Sequence, residues 1–307
     1  MELLNTQAVL FIYMVSGIIC RKAEIIKKND VKSIANLLYY LFIPALFFSR
    51  ISSTNLLEIR PAILAGSLLP VISLMLILFL LKIFSVISRD TFLLLNLTIC
   101  FGSNAFFGIP FFTSLYGDAG HEFSVTASVF LGVFGIFTTT LLFEFYSGSG
   151  KKRRAFLALF RNPILLSISA GILFSVTGIK INIIETVAAS FGAMTNVLAI
   201  IILGMFVYDN FSRAVLVQAI GFALFRLLCL PAVTIGIVLL FFNHGTPDTG
   251  FLIIQSGIPV AVSIAVYADR YEWKKELLAN IVVVTSAMSF FSLTLLYLAV
   301  KYLFSQG

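Results

Sequence analysis

The residues best suited to chemistry in this chain lie in two short, similar stretches. The first runs Gly102-Ser103-Asn104-Ala105-Phe106-Phe107-Gly108-Ile109-Pro110, and the second runs Gln255-Ser256-Gly257-Ile258-Pro259 and on to Ser263. Proline removes a backbone donor and clashes with the turn before it, while glycine lowers the cost of non-helical backbone. The neighbouring serine, asparagine and glutamine residues add hydroxyl and amide groups. Such a combination suits recognition of a polar solute by exposed N–H and C=O groups. A plain proline kink, with the polar residues joining neighbouring helices, accounts for the same residues.

Arg226 is a third candidate, the one strongly charged residue deep within an apolar segment. An arginine at the centre of a bilayer helix costs roughly 2.5–3.5 kcal/mol on insertion scales, so it is expected to face other helices and find a partner there. Its role stays open. It attracts an anion or answers a helix C-terminus, or it serves only as a lock between helices, through carbonyls or Asn196. Catalytic chemistry has little to build on. His121 and His244 read as residues of outward loops without ligand-spaced partners, and no HExxH, GxSxG or P-loop pattern occurs. Cys20, Cys100 and Cys229 fall at unrelated spacings inside apolar segments, as buried free thiols do. Neither an enzyme nor a cofactor nor a metal site is expected.

These stretches belong to a very apolar chain. Of its 307 residues 60% are hydrophobic and only 11% are charged, and the mean hydropathy is +1.05. A soluble domain carries about 25% charged residues, so the main solvent here must be lipid. The net charge of +7 would suit a nucleic-acid partner. It sits, however, in short clusters between apolar spans, the pattern of cytoplasmic loops beside an anionic leaflet. Nucleic acid is therefore excluded.

A spanning helix needs about 20 mostly apolar residues. The uncharged stretches 3–20, 33–49, 61–81, 91–117, 123–143, 162–179, 186–208, 227–247, 249–268 and 277–300 predict ten spans, the eighth extending back through Arg226. Met1 to Asn5 hold no basic n-region, so the first span reads as a retained helix. With ten spans, 16 of the loop Lys and Arg residues fall on one side and 4 on the other. The basic side is cytoplasmic and both termini face outward.

The run Ser147-Gly148-Ser149-Gly150-Lys151-Lys152-Arg153-Arg154 reads as a cytoplasmic linker between two halves of five helices. The division is 1–146, a linker at 147–160, and 161–307. Five is odd, so the halves enter the membrane from opposite sides, as inverted repeats of secondary transporters do. Gly108-Ile109-Pro110 in helix four and Gly257-Ile258-Pro259 in helix nine match at corresponding places. Each is followed by Tyr-x-Asp, at Tyr116-Gly117-Asp118 and Tyr267-Ala268-Asp269. Chance and ordinary kinks would produce the same match.

Several segments resemble the auxin efflux carrier (AEC) family of permeases, which includes the plant PIN exporters. Asn36-Leu37-Leu38-Tyr39-Tyr40-Leu41-Phe42-Ile43-Pro44-Ala45-Leu46-Phe47 resembles the family's second-helix signature, and Gly102 through Pro110 its fourth helix. Arg161-Asn162-Pro163 is similar to the opening of its second half, and Pro259 through Tyr271 to its ninth helix. The resemblance implies an all-α integral membrane protein with ten transmembrane helices in two inverted five-helix repeats. Helices four and nine would be broken and would cross at Pro110 and Pro259, where substrate binds. Ser103 stands where the family often has Asn, with Asn104 next to it, and the long central loop of the plant proteins is absent. The expected substrate-binding residues are Ser103, Asn104, Gly108, Ile109, Pro110, Arg226, Gln255, Ser256, Gly257, Pro259 and Ser263. The expected activity is alternating-access transport of a small organic anion, such as a carboxylate, across the cell membrane. A sodium-coupled bile-acid-type symporter and a non-transporting sensor or channel are the alternatives. The expected partners are that anion and the lipid bilayer, with a homodimer left open.

Overall fold

In lipid, every backbone N–H must find its acceptor within the protein, which favours helices. The computed structural model describes residues 2–53, 61–146, 161–242 and 246–304, and every regular element among them is a helix. The expected linker, 147–160, and His244 lie outside the described residues.

Helix α1 spans Glu2–Lys22, α2 Lys28–Ser53, α3 Pro61–Ile83, α4 Arg89–Cys100 and α5 Ile109–Tyr146. After the linker come α6 at Pro163–Thr177, α7 at Asn182–Asn210, α8 at Arg213–Phe241, α9 at Pro247–Ser256, α10 at Ser263–Arg270 and α11 at Lys275–Phe304. By length and composition six of these can cross a bilayer: α2, α3, α5, α7, α8 and α11. Helix α6 is a shorter apolar helix. Helices α4, α9 and α10 are short because the chain leaves helical geometry next to them, at 101–103 and 257–262.

Three prolines act alike. A π turn at Leu38–Phe42 ends two residues before Pro44, one at Asn104–Gly108 before Pro110, and one at Phe225–Cys229 before Pro231. Proline lacks an N–H and its ring collides with the carbonyl four residues back; a widened turn relieves both problems without ending the helix. Pro110 therefore widens its helix, and the interruption falls earlier. Helix α3 takes Pro70 without a π turn.

Helix α5 folds back on itself at Gly117, whose φ of 59° and ψ of −138° are not helical. Eight residues of straight helix span about 12 Å, yet Thr113 Oγ1 and His121 Nδ1 lie 3.2 Å apart. Residues 118–122, expected as a loop, thus carry helical structure, and the turn is a single glycine. The positive φ is one that residues with a Cβ rarely adopt.

Tight packing elsewhere uses small residues. Helices α1 and α7 approach so closely that a Cβ on Gly17 would collide with the Ile201 carbonyl, and one on Gly204 with the Met14 carbonyl. At the basic end of α1, Arg21 bonds Asp209 of α7 at 2.7 Å and the Ile26 carbonyl at 3.0 Å. Two aromatic clusters flank the interruptions. One packs Phe107, Phe111, Phe112, Phe123 and Phe251 between α5 and α9. The other stacks Phe143 on Tyr267 and Tyr271, with Tyr39 of α2 edge-on to Tyr267 at 5.6 Å.

Candidate functional site

The two interruptions meet. Gly102 and Val260 form an antiparallel β-bridge. Ser103 N–H donates to the Pro259 carbonyl at 2.8 Å, and Ala261 N–H donates to the Phe101 carbonyl at 3.0 Å. Each stretch gives one donor and one acceptor, so the pair is symmetric about a local two-fold. Val260 N–H also donates to Thr285 Oγ1 of α11 at 3.3 Å. These bonds explain how non-helical backbone survives inside an apolar bundle, since its exposed groups are paired with one another.

The matched tripeptides are neighbours but do not pair. Pro259 adjoins the bridge, whereas Pro110 lies eight residues past Gly102 in sequence. Gly108 touches the second tripeptide from the side, and a Cβ there would come within 2.9 Å of Ile258 Cδ1. The crossing thus lies at Gly102, within the first candidate stretch but not at its proline.

Arg226 is 3% exposed and reaches this crossing from the π turn of α8. Its Nη1 donates to the Ile99 carbonyl at 2.6 Å, and its Nη2 and Nε donate to the Ile258 carbonyl at 3.1 and 3.3 Å. Ile99 lies in the last turn of α4, and Ile258 follows the end of α9. Carbonyls there have no partner within their own helix and carry partial negative charge. These contacts are with carbonyls at helix ends, which both the helix C-terminus role and the interhelix lock called for. The side chain of Asn196 lies outside those described. Gly102 makes room for this contact, because a Cβ on it would sit 2.6 Å from Arg226 Nη2.

A line of amides continues from the guanidinium. Asn104 Nδ2 donates to the Gly102 carbonyl at 3.3 Å, Gln255 Nε2 to Asn104 Oδ1 at 3.5 Å, and Ser67 Oγ to Gln255 Oε1 at 3.3 Å. Ser256 shares a cavity of about 20 Å³ with Arg226, Asn104 and Gln255, but its hydroxyl is bonded to the Ile253 carbonyl of its own helix. That volume suits a single water molecule. Ser103, Asn104, Ser128 and Ser263 border a second cavity of about 10 Å³. Ser103 and Val262 also border a larger open groove of about 690 Å³, whose other walls are mostly apolar side chains of α1, α7 and α11, with Ser286 and Thr294 as its further hydroxyls. Ile109 and Gly257 are buried. Gly257 fits against α11, where a Cβ would collide with Leu296.

Sequence reasoning missed Ser67, Ser128 and Thr285, which supply hydroxyls to the crossing from α3, α5 and α11. Ser67 had a signal, since it follows Gly66 and precedes Pro70 in a strongly apolar helix. Thr285 had none. A second buried polar cluster was also missed: Asn162 caps α6 by accepting from the N–H groups of Ile164 and Leu165, and it bonds Thr140 and Tyr267 at 3.2 and 3.4 Å.

No curated protein matches the chain. A family model described as membrane transport protein matches residues 4–297, nearly the whole length. With these residues and this crossing in view, the chain belongs to that family, the auxin efflux carrier (AEC) family, and is a multi-pass membrane transporter.

Proposed function

We propose that this permease carries a small organic anion, such as a carboxylate, across the cell membrane by alternating access, with the crossing as its solute site. The observation that supports this reading most is the antiparallel bridge between Phe101–Ser103 and Pro259–Ala261. It brings two interrupted helices together inside the bundle. The π turn starting at Asn104 and helix α10 starting at Ser263 both leave from it. Helix starts carry partial positive charge, and such ends hold carboxylates in other broken-helix transporters. Ser103, Asn104 and Ser263 would bond the anion directly, Gln255 would orient Asn104, and Arg226 would act through the positive potential behind the bridge. Gly108, Ile109, Pro110, Ser256, Gly257 and Pro259 would shape the site. The groove of about 690 Å³ that Ser103 borders is open and mostly apolar, with exposed Phe11, Phe291 and Leu295 among its walls, so it is not itself the anion site.

The same reading takes the chain as ten spans in two inverted halves, 1–146 and 161–307, joined by the basic linker 147–160. Both termini would lie outside and the linker inside. The two-fold symmetry of the bridge is what inverted halves produce where they meet. Family membership favours neither the sodium-coupled alternative nor the sensor.

Uptake and counterflow of a panel of labelled mono- and dicarboxylates in proteoliposomes tests the activity. Saturable flux that is accelerated by the same solute on the far side is expected for at least one of them. Flux that never saturates would point to a channel, and none above protein-free vesicles would sink the anion reading. For the topology, cysteines placed at Ser149 and Thr246 should label from opposite sides; labelling of both from outside would reject it.

A further inference from the structure

A buried guanidinium that bonds only to backbone has an unusual job. The Ile99 and Ile258 carbonyls belong to the ends of α4 and α9, the two half-helices that stop at the crossing. In transporters with broken helices, unwound carbonyls and half-helix C-termini commonly hold an alkali-metal ion. Here that position is filled by a side chain of the protein, with three donor contacts at 2.6 to 3.3 Å. The planar fork reaches one carbonyl on each half-helix, which a point charge of Lys could not do as well. Among the described residues, no Asp or Glu borders the cavity that Arg226 faces. Its charge is answered by the Ile99 and Ile258 carbonyls, and Asn104, Gln255, Ser67 and Thr234 border the same small cavity.

We propose that Arg226 is a built-in cation that ties the two half-helix C-termini together, occupying the place of a coupling metal ion, and that removing its side chain leaves a site selective for a free guanidinium ion. Arg226 is on this view a positioning residue: it holds the Ile99 and Ile258 carbonyls where the bridge forms. Both the charge and the fork matter. Nothing in this depends on which solute is carried.

The test is thermal unfolding of the purified full chain in detergent, which needs no substrate. Arg226→Ala should melt several degrees below the wild type. Millimolar guanidinium chloride, far below the molar range in which it denatures, should raise the variant's midpoint saturably and leave the wild type unchanged. Urea is the neutral control of nearly the same shape and should do nothing for either protein. Replacing choline by sodium should not move the wild type. If Arg226→Ala is recovered only as aggregate, the same comparison is read as monodisperse yield after extraction with guanidinium or urea. Arg226→Lys should also melt above Arg226→Gln, because it keeps the charge. The proposal is overturned if guanidinium fails to rescue, if urea rescues as well, if sodium stabilises the wild type, or if Gln equals Lys.

Discussion

Helices α1 and α7 and the two interruptions show two ways of bringing backbones into contact within lipid. Where α1 meets α7 the backbones are complete helices, and they touch because Gly17 and Gly204 carry no side chain. At the crossing the backbones are incomplete, and they touch because each supplies what the other lacks: two N–H to C=O bonds, with Arg226 bonding the two carbonyls left over. Apolar surface gains little by leaving lipid for a protein neighbour, so close approach depends on fit in the first case and on donors and acceptors in the second. The first contact should be sensitive to size and indifferent to charge. The second should depend on its polar partners as well as on fit, which is the behaviour required where a polar solute is to exchange with the protein's own groups.

The largest effect is expected at the glycine contact. Gly204→Val would place branched carbon against the Met14 carbonyl, a backbone atom held by its own helix, so no side-chain rotation relieves it. Overfilling a packed site costs about 1–3 kcal/mol and more where backbone must move; the folded, monodisperse yield from detergent extracts should collapse. Wild-type yield would show that α1 and α7 are not in glycine-dependent contact. Gly102→Ala should cost less, about 1–3 kcal/mol, because the atom it meets is the end of a side chain, Arg226 Nη2. Its melting midpoint should fall, and the loss should shrink when Arg226 is also replaced, as expected for groups in contact. Equal losses in both backgrounds would mean that the new methyl acts elsewhere. The smallest effect is expected at Tyr267→Phe, which removes one hydroxyl from the cluster with Thr140 and Asn162. Asn162 keeps its bond to Thr140 and its cap on α6, so about 1 kcal/mol or less should be lost. A drop like that of Gly204→Val would place Tyr267 at a much more critical joint.

Much of this was legible in the chain itself. Lipid as solvent follows from the scarcity of charge, and the gaps between charges locate the helices to within a few residues. The two polar stretches at 102–110 and 255–263 do come together, and Arg226 does face inward. The details that were not legible have a common cause. Pro110 drew attention because proline is the residue that breaks helices, yet a π turn absorbs it, as at Pro44 and Pro231. The interruption instead falls at Phe101–Ser103, where the compensating bonds come from a stretch about 160 residues away along the chain. The partners of Arg226 are carbonyls of two isoleucines, and no side-chain pattern marks a carbonyl as free. Ser67 and Thr285 matter only because of which face of α3 and α11 is turned to the crossing.

The central claim is that the crossing holds the solute. It is tested most directly by the half-saturating solute concentration of Asn104→Ala and Gln255→Ala in proteoliposomes, with folded protein confirmed by thermal unfolding. Asn104 lies beside the bridge and Gln255 is bonded to Asn104. A lost neutral hydrogen bond is worth about 0.5–1.5 kcal/mol, or roughly a twofold to tenfold rise in that concentration. The account predicts such a rise for both variants, larger for Asn104→Ala. If both folded variants transport with wild-type half-saturation, the solute binds elsewhere and the crossing serves only to close the protein's own backbone.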